Sequence, residues 1–415
     1  MHRFIFIFSL LASVAPVPVR AQGGCRDPQA TNHNPAATAN DGSCQYAVTS
    51  ATLPIKTALA SAVPESSGLV FTGQSLWTFN DSGNAPVLFK VDSTTGNVLQ
   101  QVTISNFNNV DWEDITADAQ YHYVGDFGNN AGNRRDLRVL RVAKADIGPA
   151  ASESVTAQAI NFSYSNQTNF APGTNNHNFD CEAFFYANDS LHLFTKNWAD
   201  ARTNYYIIPA QPGTHVARLK ASFNANGLIT AAGLNPTGRG AALLGYTPST
   251  GATFVWLLSD FTTTHYFQGN KRRIELPNAL LIGQAEGLCF VGAYRVFVSN
   301  ERLNSPLVVP QRLYALNTSA WLAPLVPTAT AAQADAGFSV YPNPARHTFR
   351  IERPPGGAAL RLVLQDLQGR VVATETLPAG NSTAPEMPVA QLSAGLYVLR
   401  VESAAGSFSR KIEIR

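Results

Sequence analysis

The feature that most limits how this chain can fold is an internal repeat running from about Ala51 to Ser319. Each copy opens with a short strand-like run, often with an acid at a fixed place. It then turns and ends a second run in a polar residue 13 to 15 positions later. The copies are Glu65-Ser66-Ser67-Gly68-Leu69 with Asn80-Asp81, Asp111-Trp112-Glu113-Asp114-Ile115 with Asp126, and Asp180-Cys181-Glu182-Ala183-Phe184 with Asn197. They continue with Ile229-Thr230-Ala231-Ala232-Gly233 and Ala285-Glu286-Gly287-Leu288 with Asn300-Glu301. The marked positions 65, 113, 182, 230 and 286 lie 48, 69, 48 and 56 residues apart, room for one four-stranded blade each. Radial repetition of short sheets is the arrangement that packs such units while leaving few open edges, so the spacing predicts an all-β chain built on a five-bladed β-propeller. The last copy offers only three runs, ending in RLYALN. A run near residues 53–59 is therefore expected to complete it and close the ring. Six blades stay open as an alternative, because the 69-residue interval could hide a degenerate copy. The surplus is read instead as a loop at Asn166–Asn178, where Pro172-Gly173 and several Asn break any strand pattern.

Composition narrows the setting. Charged residues make up 14% of the chain, against about 25% in an ordinary soluble protein. Lys and Arg number 30 against 28 Asp and Glu, which removes the electrostatic reason to expect nucleic acid as a partner. The polar surface must then come from Asn, Thr, Ser and Gln, a pattern that leans towards exported β-rich proteins.

Both ends read as addresses. Residues 1–21 carry His2 and Arg3, an apolar run from Phe4 to Ala15, and Val19-Arg20-Ala21, the form of a signal peptide cleaved after Ala21. That run is too short to span a bilayer, and no later stretch reaches about 20 consecutive apolar residues, so no transmembrane segment is expected in the mature chain. From Phe338 to Arg415, period-two alternation with QG and AG turns predicts a C-terminal immunoglobulin-like β-sandwich of about seven strands. Its motifs are Tyr341-Pro342-Asn343-Pro344, Asp366-Leu367-Gln368-Gly369-Arg370, Leu392-Ser393-Ala394-Gly395-Leu396-Tyr397 and the basic end from Lys411 to Arg415. In these the segment closely resembles the C-terminal sorting domain of the type IX secretion system. The resemblance implies periplasmic transit, export by the type IX machinery, and release of the cargo or its attachment to surface lipopolysaccharide.

Residues 24–46 read GCRDPQATNHNPAATANDGSCQY, with almost nothing apolar to make a core. A module this small needs a staple, and a Cys25–Cys44 disulfide is the natural one for an exported chain. The segment also resembles a short GC…DGSC repeat found in exported proteins with the same sorting domain. Asp27, Asn32, Asn34, Asn40 and Asp41 offer oxygens suited to calcium, or else cap turns around the disulfide. The expected domains are 1–21 signal peptide, 22–48 stapled module, 49–319 propeller, 320–337 linker and 338–415 sorting domain.

The first strand of each propeller blade lines the central channel, so Glu65, Glu113, Glu182 and Glu286 are expected to converge there, with Thr230 in the fifth copy. Carboxylates on one axis repel unless protons or a cation relieve them, and Ca²⁺ suits an all-oxygen set. Asn80, Asp81, Asp126, Asn197 and Asn300, at the second-strand ends, could complete the shell. The competing structural reading has the glutamates capping neighbouring backbone or paired with Lys196, Arg134 or Arg135. No G-x-S-x-G, H-E-x-x-H or P-loop occurs, and the histidines at 122, 177, 192, 215 and 265 lack metal-ligand spacing. Cys181 and Cys289 fall on nonadjacent blades and are read as buried free thiols.

The phrases ESSGL with LWTFNDSG, DWEDI with YVGDFGNN and EAF with LFTKN resemble a bacterial family of exported propellers, loosely related to phytase-like and SdiA-regulated propellers. That implies the fold and no single activity. The expectation is a secreted or cell-surface binding protein whose ligand is a small molecule, glycan or protein. The alternative is a calcium-dependent hydrolase of phosphoesters, esters or lactones, with Glu113, Asp114 and Asp126 as its catalytic acids.

Overall fold

The computed structural model describes residues 22–305, 307–323, 339–352, 359–366, 370–380, 386–403 and 406–415. The signal-peptide reading at 1–21, with its cleavage site at Ala21, and most of the 320–337 linker lie outside the described residues. The chain divides into two compact units, Met1–Ala323 and Pro324–Arg415.

The first unit begins with a short parallel pair, β1 (Gly23–Gly24) and β2 (Ala39–Asn40), followed by β3 (Thr49–Ser50) and β4 (Ile55–Ala58). Four complete blades come next. Blade 1 is β5 (Ser66–Thr72), β6 (Ser75–Asn80), β7 (Val87–Val91) and β8 (Val98–Ile104). Blade 2 is β9 (Trp112–Ala117), β10 (Tyr121–Asp126), β11 (Arg138–Ala143) and, past the short β12 (Ser152–Val155), β13 (Gln158–Tyr164). Blade 3 is β14 (Cys181–Ala187), β15 (Ser190–Thr195), β16 (Thr203–Pro209) and β17 (Gly213–Phe223). Blade 4 is β18 (Leu228–Leu234), β19 (Gly240–Thr247), β20 (Ala252–Ser259) and β21 (Asn270–Glu275), followed by the one-turn helix α1 (Ala279–Ile282). Blade 5 has three strands of its own, β22 (Gln284–Phe290), β23 (Arg295–Glu301) and β24 (Arg312–Asn317). Its fourth is β4, paired with β24 through Leu313↔Thr57.

The first strands form a closed ring in which β5, β9, β14, β18 and β22 each adjoin the next and β22 returns to β5. Five separate apolar cores fill the five gaps between blades. Phe79 and Trp112 meet between blades 1 and 2, Phe127 and Phe184 between 2 and 3, and Tyr205 and Phe254 between 3 and 4. Leu257 and Val298 belong to the core between blades 4 and 5, and Phe297 and Leu76 to that between 5 and 1. Burying one such large side chain contributes about 1.5–3 kcal/mol, so the packing between blades carries the ring. The count is five. The surplus of the 69-residue interval goes partly to β12, which adds in parallel to the outer strand of blade 1, and partly to residues 165–180, which hold no strand.

Most outer edges are covered. Blades 2 and 3 join through parallel pairing of β13 with β17 (Ile160↔Gly213), and β3 covers blade 4. The N-terminal module is closed by the Cys25–Cys44 disulfide (Cα–Cα 4.7 Å). Its oxygen-bearing side chains adopt the turn-capping geometry: Asp27, Asn34, Asn40 and Asp41 each accept from the backbone N–H two residues on, and Asn32 accepts from Gln45 N–H. The module rests on blade 4, with Lys271 Nζ donating to Gly42 O (2.9 Å), Asn40 donating to Asn270 (2.8 Å), and the Arg272 guanidinium 4.9 Å from the Tyr46 ring.

The second unit contains two sheets, one of β25 (Ser339–Tyr341), β26 (Thr348–Glu352) and β29 (Met387–Pro388). The other is formed by β27 (Leu360–Gln365), β28 (Val371–Leu377), β30 (Gly395–Ser403) and β31 (Gly406–Ile414). Phe349, Leu362, Leu399 and Ile412 lie in their shared core. The motif residues have structural work here. Asn343 accepts from Glu413 N–H and donates to Lys411 O, both at 2.8 Å, which ties Tyr341-Pro342-Asn343-Pro344 to the last strand. Tyr397 is buried and donates its hydroxyl to Ser393 O, whereas Leu396 stays exposed after Gly395.

Candidate functional site

A β-bulge recurs at one place in every blade. The residue pairings jump between Ser66 and Leu69, Trp112 and Asp114, Cys181 and Ala183, Ile229 and Ala231, and Ala285 and Gly287. The extra residue is Ser67, Glu113, Glu182, Thr230 or Glu286. A bulge inserts one unpaired residue and re-aims its side chain. The register corrects the first copy: Ser67, not Glu65, is the equivalent of the three glutamates. Glu65 lies two positions upstream, exposed, with its carboxylate accepting from Asn84 at 2.6 Å. A second tier follows from the same pairings. The residues after Asn80, Asp126, Thr195, Gly245 and Asn300 are Asp81, Phe127, Lys196, Tyr246 and Glu301.

These two tiers form an acidic mouth. Carboxylate oxygens of Asp81, Glu286 and Glu301 lie within 4.8 Å of one another, as do those of Asp81, Asp111 and Glu113, so Asp81 joins both groups. Glu182 is ion-paired with buried Lys196 at 3.0 Å, and Lys196 sits 5.0 Å from the Trp198 ring and 5.8 Å from that of Tyr246. Burial, reinforced by Glu286 and Asp111, pushes Asp81 up to about 7. Burial and then Asp180 raise Asp111 to about 6. Burial with Glu182 and Asp81 close by raises Glu113 well above the ordinary carboxylate range, and burial with Glu286 does the same to Glu301. Glu113 is 5% exposed, and its carboxylate has no hydrogen-bond or ion-pair partner among the described residues. One Glu301 carboxylate oxygen is likewise buried and unpartnered. Gly128 keeps the floor open, since a Cβ there would lie 2.0 Å from Glu113 Oε1 and 2.5 Å from Asp111 Oδ2.

The other residues singled out by the repeat hold the scaffold. Asp114, fully buried, accepts from the N–H groups of Ile115 (2.8 Å), Phe184 (3.1 Å) and Ala232 (3.4 Å), fastening the first strands of three blades. Asp126 is held by Arg134 at 3.1 Å and Arg138 at 2.7 Å, apart from the two carboxylate groups of the mouth. Asn80 accepts from Glu65 N–H and donates to Ala62 O, while Asn300 accepts from Arg312 N–H and donates to Pro310 O. Asn197, two positions past the register, bonds Thr195 and Asp200. Thr230 donates to Ala285 O of the next blade at 3.1 Å, as Ser67 does to Glu113 O at 2.8 Å. Asp111 and Glu301 were not singled out as site residues, although Asp111-x-Glu113 and Asp180-x-Glu182 share a spacing that marks the former. Asp180 itself is occupied by Asn129 N–H and Trp198 Nε1. Cys181 and Cys289 are free and buried, as expected.

Residues 339–415 match the secretion system C-terminal sorting domain. This end of the chain is a type IX sorting domain. The sorting domain directs export to the cell surface or the extracellular space, and no helix among the described residues is long and apolar enough to cross a membrane. A search of the curated proteins found no match. Among solved structures the chain is similar to PorZ, a surface component of the type IX secretion system of Porphyromonas gingivalis. Identity is 14% over 87% of this chain and 46% of that one, with a TM-score of 0.31. It is also similar to the exo-β-1,3-galactanase of Phanerochaete chrysosporium (11%, 87% of this chain and 98% of that one, TM-score 0.42). A GH43_1 enzyme of Xanthomonas citri is a third (11%, 64% and 89%, TM-score 0.38).

Proposed function

We propose that the exported propeller is a calcium-loaded binding protein whose ligand docks at the acidic mouth. The observation that supports this is buried Glu113 without a partner, beside Asp81 and Asp111, over a glycine that leaves the space clear. Buried acids without counter-charges cost several kcal/mol unless protonated or bound to a cation. Hard carboxylate oxygens with no nitrogen or sulfur ligand suit calcium best, and extracellular calcium sites work at about 10⁻⁴–10⁻³ M. Asp81, Asp111, Glu113, Glu286 and Glu301 would hold the ion, with Lys196 keeping Glu182 neutralised. Bound there, calcium would supply positive charge for the oxygens of a ligand.

The test is calorimetric titration of calcium into metal-free protein, with thermal unfolding alongside. A ligand at 100 times its Kd stabilises by about 2.7 kcal/mol, a rise of several degrees in Tm. Asp81→Asn should abolish both signals, because Asp81 belongs to both carboxylate groups. Neither heat nor a Tm shift at about 10 mM calcium would overturn the reading.

A calcium-dependent hydrolase is the second reading. It is supported by the convergence of Asp81, Asp111 and Glu113, which could hold the ion beside a water that the cation activates. Turnover of a phosphoester, ester or lactone panel that is lost in Glu113→Gln and with chelator would favour it over pure binding.

A further inference from the structure

The opposite end of the inner strands has the opposite chemistry. Strand β6 ends at Asn80, next to Asp81 at the mouth, and begins with Ser75 at its far end. There a cavity of about 480 Å³ opens between blades 1 and 2. This is within the range of about 300–1,000 Å³ typical of small-molecule sites. Its lining includes Ser75, Trp77, Lys90, His122 and Lys144.

Both charged side chains in this lining are lysines. Neither lysine has an ion-pair partner among the described residues. Lys144 Nζ donates to Thr72 Oγ1 at 2.7 Å and to Asp118 O at 2.6 Å, which leaves one of its three N–H groups free. The Lys90 ammonium lies 5.9 Å from the Trp77 ring centroid. His122 is 2% exposed, packs 4.8 Å from Trp77, and has no hydrogen bond on either ring nitrogen among the described residues. Burial and then Lys144 depress its pKa to about 3, so at neutral pH it keeps one N–H and one lone pair. The nearby acids lie outside the lining: Asp118, whose charge favours the protonated form of Lys144, takes Tyr123 Oη (2.8 Å) and the N–H groups of Gln120 and Tyr121, and Glu153 takes Ala150 N–H (3.0 Å). Asp146, in the turn after Lys144, is exposed.

We propose that this cavity binds a small organic anion of monosaccharide size, a carboxylate or phosphate, with Lys90 and Lys144 holding the charge and Ser75 and His122 donating to its oxygens. The site is separate from the mouth and does not depend on calcium.

The experiment is calorimetry on the mature chain with three probes: glucuronate, glucose 6-phosphate and glucose, each with calcium and with chelator. At least one anion is expected to bind about tenfold or more tightly than glucose, equally with calcium and chelator, and more weakly as salt rises. Preference between the two anions identifies the charged group. Lys90→Gln, at a partly exposed position, should keep the wild-type Tm and weaken anion binding about fivefold or more. The His122 ring resonances should shift on binding. Equal affinity for glucose, no binding by either anion at about 50 mM, or an unchanged affinity in both Lys90→Gln and Lys144→Gln would overturn the proposal.

Discussion

Glu113 and Asp114 are neighbours in one strand and do opposite work. The bulge leaves Glu113 unpaired at the mouth, while Asp114 gives its two oxygens to three buried backbone N–H groups. An unsatisfied buried donor costs about 1–3 kcal/mol, so Asp114→Ala should destabilise the ring by at least about 3 kcal/mol in urea unfolding. Asp114→Asn, which keeps one acceptor oxygen, should cost less. Gly128→Ala should leave unfolding largely two-state and weaken calcium binding by at least about tenfold, because its methyl would displace Glu113 and Asp111. His192 makes one contribution to the pH dependence of stability. It is buried between Tyr205 Oη (2.7 Å) and Ala187 O (3.1 Å), and burial lowers its pKa to about 4. The unfolded chain takes up that proton more readily, so stability present above the unfolded value of about 6.5 is lost as pH falls towards 4. The slope is at most about 1.4 kcal/mol per pH unit. Between about pH 6.5 and 4 the wild type should lose stability relative to His192→Gln with this slope; His122 adds to the wild-type total and the raised carboxylates of the mouth oppose it.

At the scale of strands, the decisive device is that β4, before blade 1, completes blade 5. Removing residues 22–48 should leave a folded propeller with a lower Tm, since Lys271, Arg272 and Asn270 lose their contacts with the module. Removing residues 22–59 should abolish cooperative unfolding and expose the ring to trypsin, because the edge of β24 and the Leu59–Leu313 packing are lost together. This closure was legible in the sequence, because the fifth copy visibly lacked a strand and a spare run preceded the first copy. The blade count was legible for the same reason: period-two apolar runs recur at near-constant spacing. The bulges were not. An inserted residue is defined by the partner strand, and matching Glu65 to Glu113 by residue type overrode the register that makes Ser67 the true counterpart. Asp111 lies just before a strand and Glu301 at a strand end, where acids ordinarily mark turns. The pairing of Asp126 with Arg134 and Arg138 was not legible either, because both arginines reach it from beyond the repeat signature.

For the whole molecule, scarcity of charge acquires a meaning. With few charged residues overall, the clustered acids of the mouth and the lysine pair of the cavity between blades 1 and 2 stand out. The sorting domain sets where that ring works. A chain lacking residues 338–415 should accumulate in the periplasm, checked by fractionation and immunoblotting, whereas the full chain reaches the surface or medium. The seam between β4 and β24 has a consequence for biosynthesis. It joins Ile55 to residues near Asn317, so the ring cannot be completed until almost all of the first unit has been made. A chain stalled or cut between those points would present an open row of blades with an unsatisfied final edge. Until that seam closes, β24 is an open strand edge, available to pair with another chain.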